Sequence, residues 1–345
     1  MLKAGYTSVC EFHYVHHAPD GKRHANPAEL AQRVVDAGSE TGIGMTMPPV
    51  LYQYSGFNAQ PPREDQRRFI NTTEAFLDLL GALRHARLEH GALRYGVAPH
   101  SLRALLEGLD AMSPGAPVHI HVAEQTAEVE ASLAALGARP VQWLLDHFDV
   151  NARWCLVHAT HVDAKETDAL ARSGATAGLC LTTEANLGDG IFPAMDYLNA
   201  QGAFGIGSDS HIGVDWRAEL RLLEYGQRLL RRQRNVLASS RTPHVADRLF
   251  QGALEGGARA TGRAVGVLVE GARADFIVLD AGHPDLAEQT SATWLSSVVF
   301  CEHGETPVRD VVVGGERVVH DRRHRDEARH YADYRRALSH LVANA

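Results

Sequence analysis

Residues 118–125 read VHIHVAEQ. Apolar Val118, Ile120 and Val122 alternate with His119 and His121, and a period of two is the signature of a β-strand. The strand puts both histidines on one face. It ends where Ala123, Glu124 and Gln125 turn towards a helical pattern over Thr126–Leu136. Working outward, the same unit recurs. Short apolar runs at Tyr6–Phe12, Gly42–Met47, Leu93–Ala98, Val118–Val122, Trp154–His158, Ala175–Leu181 and Phe204–Ser208 predict strands. Amphipathic stretches at Pro27–Glu40, Arg63–His90, Ser101–Met112, Thr126–Leu136, Pro140–Phe148, Asp163–Ser173, Phe192–Ala200, Trp216–Leu237 and His244–Thr261 predict helices. Strands alternating with helices make an α/β fold with a parallel sheet.

An open doubly wound sheet accommodates seven strands. The last four runs, however, end in polar residues able to do chemistry: His121, His158, Thr182 and Asp209. Function at the C-terminal ends of successive strands is the habit of a (β/α)₈ barrel. Because the chain opens directly into a strand, the expected fold is a TIM-type barrel lacking its first strand. Residues 1–262 would form strands two to eight. From 263 the texture changes. The glycine-punctuated runs VGVLVEGARADFIVLD (265–280) and VVVGGERVV (311–319) predict a small β-domain remnant, followed by a charged C-terminal helix over 321–345.

The chain has 345 residues, 45% hydrophobic and 22% charged, as in a soluble globular protein. A formal net charge of -8 argues against nucleic acid, which calls for a basic face. No apolar run is long enough to span a bilayer, and the first residues lack the apolar core of a signal peptide. The four scattered cysteines read as reduced core residues of a cytoplasmic protein. The 20 histidines are the unusual feature.

Of the two histidines in VHIHV, the one nearer the strand end can reach a metal at the barrel mouth. That selects His121, with Glu124 as a carboxylate able to move protons to and from water. A core histidine beside a helix-capping glutamate reads almost as well for this motif alone. His158 ends the run CLVH about one β/α unit later, as a core histidine or as a group that orients a nucleophile. His161 lies beyond it and reads as structural. Asp209, in GIGSDSH (205–211), ends a glycine-containing apolar strand, where a carboxylate is costly unless paired or metal-bound. An N-cap aspartate is the alternative. Jointly the three strand ends outline a mononuclear metal site with a carboxylate base.

These residues resemble the amidohydrolase superfamily in its deaminase and deiminase branch, and most closely the formimidoylglutamate deiminases. The likeness covers essentially the whole chain. It is carried by GYTSVCEFHYVHH (5–17), LYQYSGF (51–57), GVAPHSLRA (96–104), HIHVAEQ (119–125), CLVHATH (155–161), GLCLTTEANLGDGIFPA (178–194) and GIGSDSHIGVDWRAELRLLEYGQR (205–228). The resemblance implies one divalent metal, zinc, with His121 and Asp209 as ligands, Glu124 as proton shuttle and His158 as an orienting electrophile. It implies that Tyr14, His100 and Arg103 hold a dicarboxylate, Arg103 through its bidentate fork. Tyr52 and Tyr54 either line the pocket or pack. The implied reaction is hydrolysis of N-formimino-L-glutamate to N-formyl-L-glutamate and ammonia in histidine breakdown, by a cytoplasmic homodimer. The alternatives are a deaminase of a purine, pyrimidine or triazine, and an inactive truncated chain. The family also takes two ligands from an HxH pair on the first strand, which is expected to be missing here.

Overall fold

The computed structural model describes residues 1–102, 115–302 and 304–343. In chain order the elements are β1 (Ser8–Cys10), α1 (Glu29–Thr41), β2 (Gly44–Met47), β3 (Val50–Leu51), α2 (Thr73–Ala86), β4 (Leu93–Tyr95), β5 (Ala98–Pro99), β6 (Val118–Val122), α3 (Thr126–Leu136), α4 (Pro140–His147), β7 (Trp154–His158), α5 (Ala164–Ser173), β8 (Thr176–Leu179), α6 (Leu181–Leu187), α7 (Ala194–Asn199), β9 (Ala203–Ile206), α8 (Trp216–Arg231), α9 (Val245–Thr261), β10 (Phe276–Leu279), α10 (Trp294–Phe300), β11 (Val308–Val313), β12 (Glu316–His320), β13 (Arg323–His324) and α11 (Glu327–Ala343). The predicted helix over 101–112 lies, after its first two residues, outside the described residues.

The first nine strands form parallel ladders in chain order. β1 pairs with β2 and β2 with β4, while β3 pairs with β5. β6, β7, β8 and β9 follow in sequence. Parallel bridges His13–Pro49 and Val97–Val118 join the groups. Pro48 and Pro49 have no N–H to give a ladder, so one strand position is split into β2 and β3. The result is seven strand positions in the sequential order of a TIM-type barrel, as the alternating pattern predicts.

The pleat decides what each face does. On β6, Val118, Ile120 and Val122 join a core with Val129 of α3, Leu144 of α4 and Leu170 of α5. Burying each such side chain is worth roughly 1.5–3 kcal/mol. His119 and His121 face the other way. His119 Nε2 donates to the Ala260 carbonyl (2.9 Å), and Thr46 Oγ1 donates to that of Thr261 (2.8 Å). Arg94 Nη1 donates to that of Gly262. The otherwise open carbonyls at the end of α9 thus find donors on three strands, which anchors this helix end at the floor of the barrel.

Some boundaries differ from expectation. Leu181 and Thr182 lie in the first turn of α6, not at a strand end. Only Phe276–Leu279 of the run 265–280 is strand, and it joins an antiparallel sheet β10-β11-β12-β13. Among the described residues no helix is long and apolar enough to cross a membrane.

Candidate active site at the strand ends

Tyr14, His100, His121, Glu124, His158 and Asp209 line one cavity of about 790 Å³. Five strand positions contribute, so residues distant in sequence converge at the C-terminal mouth. Arg103 lies outside the described residues. Among the described residues that line the cavity there is no arginine or lysine.

The backbone at this mouth is unusual. Ala123, His158, Ala159 and Asp209 have φ of 53°, 67°, 51° and 45°. Each left-handed non-glycine residue costs on the order of 1–3 kcal/mol and persists where its surroundings hold it. Here the holders are hydrogen bonds from Ala159 N to Val122 O and from His161 N to Ala123 O, both 3.0 Å. Around Asp209, Thr183 Oγ1 donates to Ser208 O (2.7 Å) and accepts from His211 N (3.0 Å). The turn therefore aims an exposed Asp209 at the cavity while its neighbours are pinned.

His121 is buried between aromatic rings. Phe12 packs on it at 4.2 Å between ring centroids, and Tyr14 Oη lies 3.1 Å from its Nδ1. Burial, followed by the neighbouring His158, His100 and His119, pushes its pKa well below the ordinary histidine value. A neutral ring keeps a lone pair for a cation. If Tyr14 accepts from Nδ1–H, that lone pair is on Nε2.

His158 stacks beside it, with ring centroids 5.3 Å apart. Burial lowers its pKa, but the hydrogen bond to Glu184 and the charges of Glu124, Glu184 and Asp209 outweigh burial, so the net shift is upward. Its Nδ1 is 3.2 Å from Glu184 Oε1, and its Nε2 is 3.7 Å from Glu124 Oε1. The second distance is an ion-pair approach, too long for a hydrogen bond. Glu124 itself is raised above the usual carboxyl value, chiefly by burial and further by Asp189, Asp209 and Glu184. Its backbone N–H is held by Glu128 Oε2 at 3.0 Å. A carboxyl with a raised pKa beside an imidazole with a raised pKa is a pair suited to shuttling protons near neutrality.

His121 and Asp209, an imidazole and a carboxylate, are donors that a divalent cation accepts. Catalytic zinc usually takes three protein ligands. Among the described residues, no three donors in the cavity close to within 4.8 Å of one another, so the residues fit part of such a site. A cluster that does close lies far away in sequence at His324, Asp326 and His330. There, however, His324 Nε2 is bonded to the Thr41 carbonyl and Nδ1 accepts from Asp326 N.

The other residues weighed in the sequence separate cleanly. His161 donates to the Asp189 carbonyl (2.7 Å) and is structural, as expected. Tyr52 is buried against His100, with its hydroxyl accepting from Gln66. Nothing in the sequence singles out Glu184 and Glu219. They sit on α6 and α8, and Glu219 accepts from Thr182 N (3.1 Å) and from Thr182 Oγ1 (2.5 Å). The TTE run at 182–184 gives only a weak signal, since a buried glutamate cannot be told from a solvated helical one by type.

The amidohydrolase family pattern matches residues 1–318. A formimidoylglutamate deiminase of Pseudomonas aeruginosa is 51% identical over 99% of this chain and 76% of its own length. A 5-methylthioadenosine/S-adenosylhomocysteine deaminase of Natronomonas pharaonis is 30% identical over 67% of this chain and 54% of its own. Among solved structures, an amidohydrolase from Brucella melitensis superposes with a TM-score of 0.94 at 46% identity, covering 99% of this chain and 76% of that one. An adenosine deaminase from Xanthomonas campestris with bound zinc superposes at 0.76 with 21% identity, over 99% of this chain and 73% of that one, a likeness of fold alone. The strand-end site and these matches agree: the chain belongs to the amidohydrolase family.

Proposed function

We propose that this chain carries the catalytic residues of a formimidoylglutamate deiminase, hydrolysing N-formimino-L-glutamate to N-formyl-L-glutamate and ammonia in histidine degradation. The observation that carries this reading is the placing of Glu124 against His158 in a cavity shared with His121 and Asp209, in a chain with 51% identity to such a deiminase. Water adds to the formimino carbon as Glu124 takes one of its protons. His158, protonated on both ring nitrogens as the surrounding carboxylates favour, donates through Nε2 to the atom on which negative charge develops. Glu124 returns the proton to the departing nitrogen, the C–N bond breaks, and Asp209 accepts the remaining hydroxyl proton as the carbonyl forms. His121 and Asp209 would hold a divalent metal, zinc, with further ligands completing the set; when bound it supplies Lewis acidity that makes water a better nucleophile. Tyr14, His100 and Arg103 hold the dicarboxylate, Arg103 as its cation.

The same reading treats the parallel strands as positions two to eight of a (β/α)₈ barrel spanning 1–262. It treats 263–345 as the remnant of a small β domain with the C-terminal helix, and the assembly as a cytoplasmic homodimer, which light scattering on the purified protein would check. The deciding experiment measures ammonia released from N-formimino-L-glutamate against S-adenosylhomocysteine, adenosine, guanine and cytosine. The expected result is release from the first alone. Glu124→Gln is expected to lower that rate by about 10²–10⁴-fold while metal content, read by elemental analysis, stays as it was. Wild-type turnover in the variant would remove Glu124 from the mechanism.

A further inference from the structure

Glu184 is a carboxylate in an expensive place. Its residue is 1% exposed, and it lies in the first turn of α6, directly behind His158. Oε1 accepts from Cys180 N (2.9 Å) and stands 3.2 Å from His158 Nδ1. Oε2 is buried without a hydrogen-bond partner. Stripping a carboxylate of water costs several kcal/mol unless partners repay it. A cap for one backbone N–H needs only a neutral acceptor. The group that repays a negative charge here is the imidazole it faces.

We propose that Glu184 is the positioning residue for His158: it accepts the hydrogen bond of Nδ1–H, holding a proton on that nitrogen and fixing the ring's rotation so that Nε2 points at Glu124 and the cavity. The groups around the ring agree with one such arrangement. Glu184 lies on the Nδ1 side, Glu124 on the Nε2 side, the neutral His121 ring stacks alongside, and Asp209 stands at the mouth. The backbone of His158 is left-handed, at φ 67°, a conformation its surroundings must hold. Glu184 is in turn held from behind, because Glu219 on α8 accepts both the N–H and the hydroxyl of Thr182 two residues earlier. Glu219 thus pins Thr182 on the turn that carries Glu184, Glu184 meets His158, and His158 faces Glu124. Of these only Glu124 and His158 reach the reacting atoms.

The kinetic arm of the test rests on the deiminase reading; the spectroscopic arm does not. Imidazole-¹⁵N histidine is incorporated, and the His158 resonances of the ligand-free protein are assigned by their loss in His158→Asn. The expected spectrum at neutral pH shows a protonated Nδ1. An unprotonated Nδ1 in the wild type overturns the proposal without any variant. Glu184→Leu removes the acceptor and is expected to lose the protonated-Nδ1 signature. Glu184→Gln keeps a carbonyl oxygen there and is expected to restore it. With N-formimino-L-glutamate, Glu184→Leu is expected to lower kcat by about 10- to 100-fold with little change in KM, and Glu184→Gln to recover part of the loss. A fall in kcat with the protonated-Nδ1 signature intact would make Glu184 a structural residue and overturn the proposal. Absence of ammonia release from the wild type, with Nδ1 protonated, would sink the deiminase reading and leave the positioning role standing.

Discussion

Glu219 is a buried acid whose position has a measurable consequence. It is fully buried on α8, and burial, the dominant effect, raises its pKa from 4.5 to about 7, although the hydrogen bonds from Thr182 pull the other way. Between those two values the folded protein keeps a proton that the unfolded chain has released. Stability contributed by that proton is therefore lost as the pH rises through the window, by up to about 3 kcal/mol once the pH is above 7. Glu219→Gln carries no such proton. Urea midpoints at pH 5 and pH 8 are expected to fall further for the wild type than for the variant. Parallel pH curves for the two would show that Glu219 does not titrate in this window. His121, His158 and Asp209 are legible because each ends an apolar run, where a polar residue needs a reason. His119 is equally polar on the same strand face, but it lies one pleat further from the mouth and bonds to Ala260 O, and these two facts separate it from His121. Glu184 and Glu219 stay hidden because their roles depend on what packs over them: Glu184 falls between the predicted strand and helix, and Glu219 in a helical pattern where a glutamate reads as solvated.

At the scale of elements, the strand order was legible and the boundaries were not, for local reasons. The helical pattern over 63–90 hides a start at Thr73, where Thr72 caps by accepting from Ala75 N at 3.2 Å. The strand read to Leu181 stops at Leu179, because Glu184 takes the N–H of Cys180 and turns the chain into α6. The packing of α9 on β9 is set by a single missing side chain. A Cβ on Gly256 would lie 1.8 Å from the Phe204 carbonyl oxygen and 2.8 Å from Gly205 N. Backbone on both sides cannot yield as a side chain would. Gly256→Ala is expected to destabilise the fold by about 3 kcal/mol, at the top of the range for overpacking or beyond it. Gly257→Ala, one residue on, meets nothing within 4 Å and is expected to be neutral or slightly stabilising. Thermal melts of the pair provide the comparison, and equal melting temperatures would mean that α9 does not seat on β9 through this contact.

For the molecule as a whole, the question is whether the C-terminal sheet is a separate unit. The change in sequence texture at 263 suggests a division, but the packing crosses it. Val308, Val311, Val313, Val318 and Val319 of the sheet share one cluster with Leu2 and Ile43, which lie beside β1 and β2. Lys3 pairs with Glu327 at 2.7 Å, Arg329 with Glu40, and His324 bonds to the carbonyl of Thr41. The sheet is thus sewn to the start of the chain, and Leu2, Ile43 and the side of Val9 that faces it would be left open without it. Domains joined by so apolar a contact should unfold together. The protein contains its own probe for this, since its four tryptophans, Trp143, Trp154, Trp216 and Trp294, all lie outside β10 to β13. Val311 is fully buried in β11, paired with Ile277 and Val319. Val311→Asp places an unpaired carboxylate there, at a cost of several kcal/mol. If sheet and barrel form one cooperative unit, the urea midpoint of tryptophan fluorescence drops as far as that of far-ultraviolet circular dichroism. A tryptophan transition that stays at its wild-type midpoint while the dichroism changes would mean that the sheet β10 to β13 unfolds on its own. In that case the contacts of Leu2 and Ile43 would be docking contacts between independent units, not a shared core.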